Sequence, residues 1–197
     1  MRRRTLLRAG LVISALAAAS AHTPYRQWQV YRQKHLLIGT SKADAPSYPL
    51  GKQIADLLAT YLPESSARVA RGPTPLRLAS LLTTDQLEVA LLSDEHVTAL
   101  RDGAAPFEDF GPTLLTALFR FGGHWLVCRP DFPDHHAWRV VRTLTEHASA
   151  IPTAAPALPG DCPVQVHPGA LAYAAGEPLP ATPPQVEDLP EDHPHPH

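Results

Sequence analysis

Hydroxyl groups stand where apolar runs give way to loops, in two places near a glycine. Gly39, Thr40 and Ser41 close the run that begins at His35. Ser47 and Tyr48 open a leucine-rich stretch, Gly72 and Thr74 follow Ala67–Ala70, and Ser93 and Asp94 follow Leu87–Leu92. Hydroxyls and free backbone N–H groups at helix starts attract anions such as carboxylates. Thr40, Ser41, Tyr48, Thr74, Ser93 and Asp94 are therefore the candidate ligand contacts, with Tyr48 foremost. The same residue types also have purely local uses, Ser47 and Thr74 as N-caps and Thr40 in a turn. Both readings stand.

Eleven histidines raise the question of a metal. Cleavage after Ala21 would make His22 the N-terminus, where amine and imidazole together suit copper. His135-His136 and the tail residues His193, His195 and His197 add further donors. None of these has the spacing of a closed zinc site. The expectation is no cofactor and no catalytic metal, with an exposed metal site on the tail as the alternative. Cys128 and Cys162 are a possible disulfide in an oxidising compartment, given suitable geometry. Nothing local activates either sulfur. Ser-His-Asp, paired-carboxylate, P-loop and Rossmann fingerprints are missing in convincing form, and Glu187-Asp188 and Glu191-Asp192 read as solvating charge. An enzyme is not expected.

The elements that position these residues alternate. His35–Thr40 reads as a buried strand ending in glycine. Leu50, Ile54, Leu57, Leu58 and Tyr61 then share one helical face, with Ser47 and Pro49 at its start and Pro63 beyond its end. Ala67–Ala70 is a second strand, Pro75–Leu82 a helix, Leu87–Leu92 a third strand, and Asp94 opens a helix that stops near Gly103. Leu114–Phe121 and His124–Cys128 follow as strands hinged at Gly122-Gly123. His135–His147 is a helix with Trp138, Val141 and Leu144 on one side. Short connections between alternating strands and helices predict an α/β layered domain with a mainly parallel sheet.

The ends differ in composition. Arg2, Arg3, Arg4, Leu6, Leu7 and Arg8 match a twin-arginine export signal, and Ala19-Ser20-Ala21 matches a cleavage site. The apolar run Ala9–Ala19 falls short of the roughly 20 residues that span a bilayer. Residues 1–21 thus read as a cleaved signal, 22–34 as an aromatic extension, 35–175 as the folded lobe and 176–197 as a disordered tail. Twelve of the 22 prolines follow Ala150, where they deny backbone donors to helix or sheet. Removing the four signal arginines takes the formal charge from −2 to −6. A nucleic-acid surface is not expected from such a balance, and stable membrane insertion is not expected after cleavage.

Four stretches resemble the TAXI family of TRAP-transporter solute receptors. Leu37-Ile-Gly-Thr40 with Tyr48-Pro-Leu-Gly51 is similar to the family's opening I-G-T…Y-Y-x-x-G. Gly72-Pro-Thr74 stands where the family has a G-G-S turn. Leu87–Asp94 is similar to its third strand, and Val166-His-Pro-Gly-Ala-Leu-Ala-Tyr173 to its P-L-H-P-G-A-x-x-Y signature. Family receptors close two lobes around a cleft, whereas here the strand at His124–Arg129 passes almost directly to the helix beginning near Phe132. The resemblance implies a single lobe of a periplasmic-binding-protein-like fold. It implies a periplasmic, non-enzymatic module binding a small anionic organic solute, a carboxylate or amino acid, with TRAP membrane subunits as partners. The alternative is a metal-binding or accessory protein for maturation of a periplasmic redox enzyme.

Overall fold

The computed structural model describes residues 35–151, 156–157 and 161–182. The signal, the aromatic extension and the tail histidines lie outside the described residues. Strand β1 (Leu37–Ser41) leads to helix α1 (Ser47–Tyr61), β2 (Arg68–Gly72), α2 (Pro75–Thr83), β3 (Val89–Ser93) and α3 (Asp94–Asp102). The hairpin of β4 (Thr116–Phe121) and β5 (His124–Cys128) precedes α4 (Asp134–Glu146). The short strands β6 (Pro156–Ala157) and β7 (Gln165–Val166) then lead to α5 (Pro168–Ala174).

The sheet runs in the order β2-β1-β3-β5-β4-β6, with β7 also paired to β4. Strands β1, β2, β3, β4 and β7 point one way, and β5 and β6 are reversed. The reversal has a local cause. Phe121 pairs with His124 across Gly122-Gly123, with Gly122 at φ 59°, the left-handed backbone that a two-residue hairpin turn needs. The returning β5 therefore inserts between β3 and β4, bringing His124 opposite Ser93.

Helices cover both faces of the sheet, as an α/β lobe requires. Val89 and Leu91 face the layer of α1, α4 and α5, and they pack with Ile54, Leu58, Val141 and Leu144. Ala90 and Leu92 face the other way, toward Leu78 and Leu82 of α2 and Val97 and Leu100 of α3. Strand side chains alternate between faces, so a run apolar on every residue is one buried on both. Each such leucine or isoleucine contributes about 1.5–3 kcal/mol by leaving water. The helical face read from the sequence is buried at Ile54, Leu57 and Leu58, whereas Tyr61 is exposed and stacks on His147 at 3.6 Å.

Two close approaches fix the layers. A side chain at Gly51 would begin 2.5 Å from Thr40 Cγ2, and one at Gly169 would begin 2.2 Å from the Asp134 carbonyl oxygen. Glycine at these positions lets α1 lie against β1 and α5 against α4. The chain beyond α5 is held at Glu177, whose carbonyl accepts the Trp138 Nε1–H at 3.1 Å.

Candidate functional site

The carboxyl ends of β1, β2 and β3 meet the starts of α1, α2 and α3 along one edge of the sheet. The loop after β1 is tightly bonded. Ser47 Oγ donates to the Asp44 carbonyl at 2.8 Å and accepts the Ser41 N–H at 3.1 Å, while Ser41 Oγ accepts the Ala43 N–H at 3.2 Å. Lys42 N–H donates to the Gly72 carbonyl at 2.9 Å, closing the gap to β2.

The six candidates fall into three situations. Thr40 and Ser41 are buried, and Thr40 Oγ1 donates to the Ala70 carbonyl at 3.1 Å, so its hydroxyl is engaged inside the fold. Thr74 and Ser93 are helix caps. Thr74 Oγ1 accepts the Arg77 N–H at 3.3 Å, and Ser93 Oγ accepts the His96 N–H at 3.4 Å while lying 2.8 Å from His96 Nδ1. Tyr48 and Asp94 are the ones that carry a charged partner to the surface. The Arg71 guanidinium lies 4.4 Å from the Tyr48 ring centre, and Asp94 accepts the Trp125 indole N–H with Arg120 3.8 Å from its second oxygen. Arg120 also lies 5.0 Å over the Trp125 ring.

Two residues that sequence reasoning passed over join this edge. His124 Nε2 is 2.9 Å from Asp44 Oδ2, and both side chains are largely shielded. His124 lies opposite Ser93 in the sheet, so this contact spans from β5 across the end of β3 to the loop after β1. The Gly122-Gly123 turn was its one sequence signal, but a hairpin turn does not say which strand the returning arm will pair with.

The edge thus brings Asp44, His124, Ser93, Asp94, Trp125 and Arg120 together and ties them to the loop that leads to Tyr48. Thr74 stands apart as an exposed cap. Two hollows among the described residues lie elsewhere, one around Leu36, Phe132 and His136 and the other around Tyr61, Trp138 and His147. None of the six candidates lines either.

Three further sequence readings resolve locally. The turn His167-Pro-Gly-Ala is structural: His167 Nε2 lies 2.8 Å from the Phe132 carbonyl, and Nδ1 accepts the Gly169 N–H at 3.1 Å. Together these bonds define a neutral imidazole with its proton on Nε2. The disulfide reading is corrected. Cys128 and Cys162 are unbonded, because Cys128 packs in the layer of α1 and α4 while Cys162 lies against the layer of α2 and α3. Third, His135 and His136 contact each other with ring centres 4.1 Å apart. No group of three metal donors forms among the described residues.

No protein-family model matches the chain, and no curated protein matches it.

Proposed function

We propose that this chain is a binding lobe whose carboxyl edge receives a small carboxylate, with an amino acid fitting better than a simple acid. The observation that supports the reading is the pairing of opposite charges along that edge. Arg71, stacked on Tyr48, offers a cation for a carboxylate, and the start of α1 adds its amide dipoles. Asp94, half-exposed beside Trp125, offers an anion for an ammonium group. Arg71 on β2 and Asp94 after β3 are separated by the end of β1, so a ligand bearing both charges engages both only by spanning that end, whereas a simple carboxylate engages Arg71 alone.

The resemblance to TAXI receptors and the twin-arginine-like residues 2–8 support a periplasmic role, with TRAP membrane subunits as the proposed partners. A two-lobed receptor closes over its ligand. A single lobe leaves one side of the ligand wet, so weak binding is expected unless a second chain completes the cleft.

Trp125 supplies the test, since its indole N–H rests on Asp94. Titration with amino acids and simple carboxylates, followed by tryptophan fluorescence, is expected to give a saturable change with the former. Asp94→Asn and Tyr48→Ala are each expected to weaken it at least about tenfold, the loss of one charge-assisted contact. A flat titration, or variants indistinguishable from the parent chain, rules the reading out.

A further inference from the structure

Strand β2 is an open edge of the sheet, paired to β1 alone among the described residues. Its bonds to β1 fix which backbone groups face outward. The Arg68 N–H donates to the Leu36 carbonyl and the Gly72 carbonyl accepts the Lys42 N–H, both at 2.9 Å. The Ala70 carbonyl accepts the Thr40 hydroxyl at 3.1 Å. Alternate residues of a strand turn their main-chain groups to the same side. The N–H and C=O groups of Val69 and Arg71 therefore face away from the sheet, where a further strand can add.

Positive charge is segregated onto this edge. Arg68 and Arg71 lie on β2, Arg77 in the first turn of α2 after it, and Lys42 beside Gly72. All four are solvent-exposed. None stands in an ion pair among the described residues, whereas the other six described lysines and arginines each do. An exposed cation needs no partner of its own. Four like charges grouped on one edge, with no carboxylate in β2, nevertheless raise the local positive potential. Arg71 shares the α1 face of the sheet with Tyr48, and Arg68, three residues earlier, turns to the α2 face.

We propose that this edge is the docking strand for residues 185–189 of the same chain, which add to β2 as a parallel strand. They lie outside the described residues, and their sequence and the path to them carry the assignment. Gln185-Val-Glu-Asp-Leu189 is proline-free between Pro184 and Pro190, so it keeps every backbone donor, and it equals β2 in length. Glu187 and Asp188, being consecutive, turn to opposite faces of a strand, as Arg68 and Arg71 do. Glu191 and Asp192 follow toward Arg77 and Lys42, and residues 183–197 include no lysine or arginine. The approach is short. Leu179 lies beside Tyr61, Leu62 and Glu64 at the end of α1. From there residue 185 is within about 20 Å of chain, and Arg68 is at most about 14 Å from Glu64. Docking closes the edge to other chains, and it does not depend on the ligand proposed for the carboxyl edge.

Amide hydrogen exchange on the full chain, read by NMR with no ligand present, tests this. The comparison is with the double variant Glu187→Gln/Asp188→Asn, whose changes lie outside the folded lobe and leave its core untouched. The Val69 and Arg71 amides are expected to exchange about tenfold more slowly in the parent chain than in the variant, as a tethered segment at high effective concentration protects them. The Arg68 and Ala70 amides, turned to β1, are expected to exchange alike in both. Equal exchange of Val69 and Arg71 in parent and variant overturns the proposal. So does protection that grows with protein concentration, which identifies a second copy as the occupant of the edge.

Discussion

His124 and Asp44 form a contact of 2.9 Å between residues that lie 80 positions apart in the chain. It joins the first residue of β5 to the loop between β1 and α1, passing the end of β3. The candidate ligand edge is therefore braced from the hairpin. The position of Tyr48 depends on a residue far from it in sequence.

Replacing His124 by alanine is expected to loosen that brace. Asp44 is then left shielded without its partner, a cost of about 1–3 kcal/mol. The amides of residues 42–47 are expected to lose hydrogen-exchange protection more than the core strands do. Uniform loss across the molecule, or none, contradicts the brace.

Gly51 lies inside α1, where alanine ordinarily stabilises a helix by about 0.5–1 kcal/mol. Here the added carbon meets Thr40 Cγ2 at 2.5 Å, and Thr40 is fully buried. Overpacking at about 1–3 kcal/mol outweighs the helical gain, so Gly51→Ala is expected to destabilise. Thr40→Ser removes the offending methyl, and in that background the same substitution is expected to cost much less. Chemical denaturation of the four chains measures the coupling.

His167 makes stability depend on pH. Burial depresses its folded value, partly opposed by its bond to the Phe132 carbonyl and by the Asp134 charge. The unfolded imidazole then binds a proton that the folded one refuses. The stabilising contribution is whole above the ordinary imidazole value and falls away as pH drops through that value toward the folded one. Melting temperature is expected to decline between pH 7 and pH 5 more steeply in the parent chain than in His167→Gln. Equal slopes would remove His167 as the cause.

The cysteines are expected to react as two separate thiols. Cys128 is buried, 3.2 Å from Thr116 Oγ1, and its thiol is pushed up to about 12, chiefly by burial. Cys162 is half-buried and raised in the same direction by burial. A thiol reagent at pH 8 is expected to modify Cys162 in the native protein and Cys128 only on unfolding. Mass spectrometry after alkylation reads the order, and a chain with no free thiol contradicts it.

The local elements were legible because their causes are local. The spacing of Ile54, Leu57 and Leu58 predicts the buried face of α1, and the hydroxyl of Thr74 marks the start of α2, where it does act as a cap; Ser47, read as a cap too, instead lies inside the first turn and bonds its hydroxyl to Ser41 and Asp44 of the preceding loop. Trp138 illustrates the limit. Its periodic position suggests burial, yet it lies half-exposed, meeting Tyr173 edge-on at 5.5 Å and the Glu177 carbonyl, neither of which its own helix specifies.

By itself, then, the sequence determined the alternation of strands and helices, the two-sided burial of β3 and the α/β layering, since periodicity and capping act over a few residues. Tertiary structure alone decided that β5 returns beside β3, that His124 reaches Asp44 and that the cysteines face opposite layers. Those outcomes depend on which strand the hairpin arm pairs with and on how closely the layers approach. Both are settled by packing between segments that no local pattern connects.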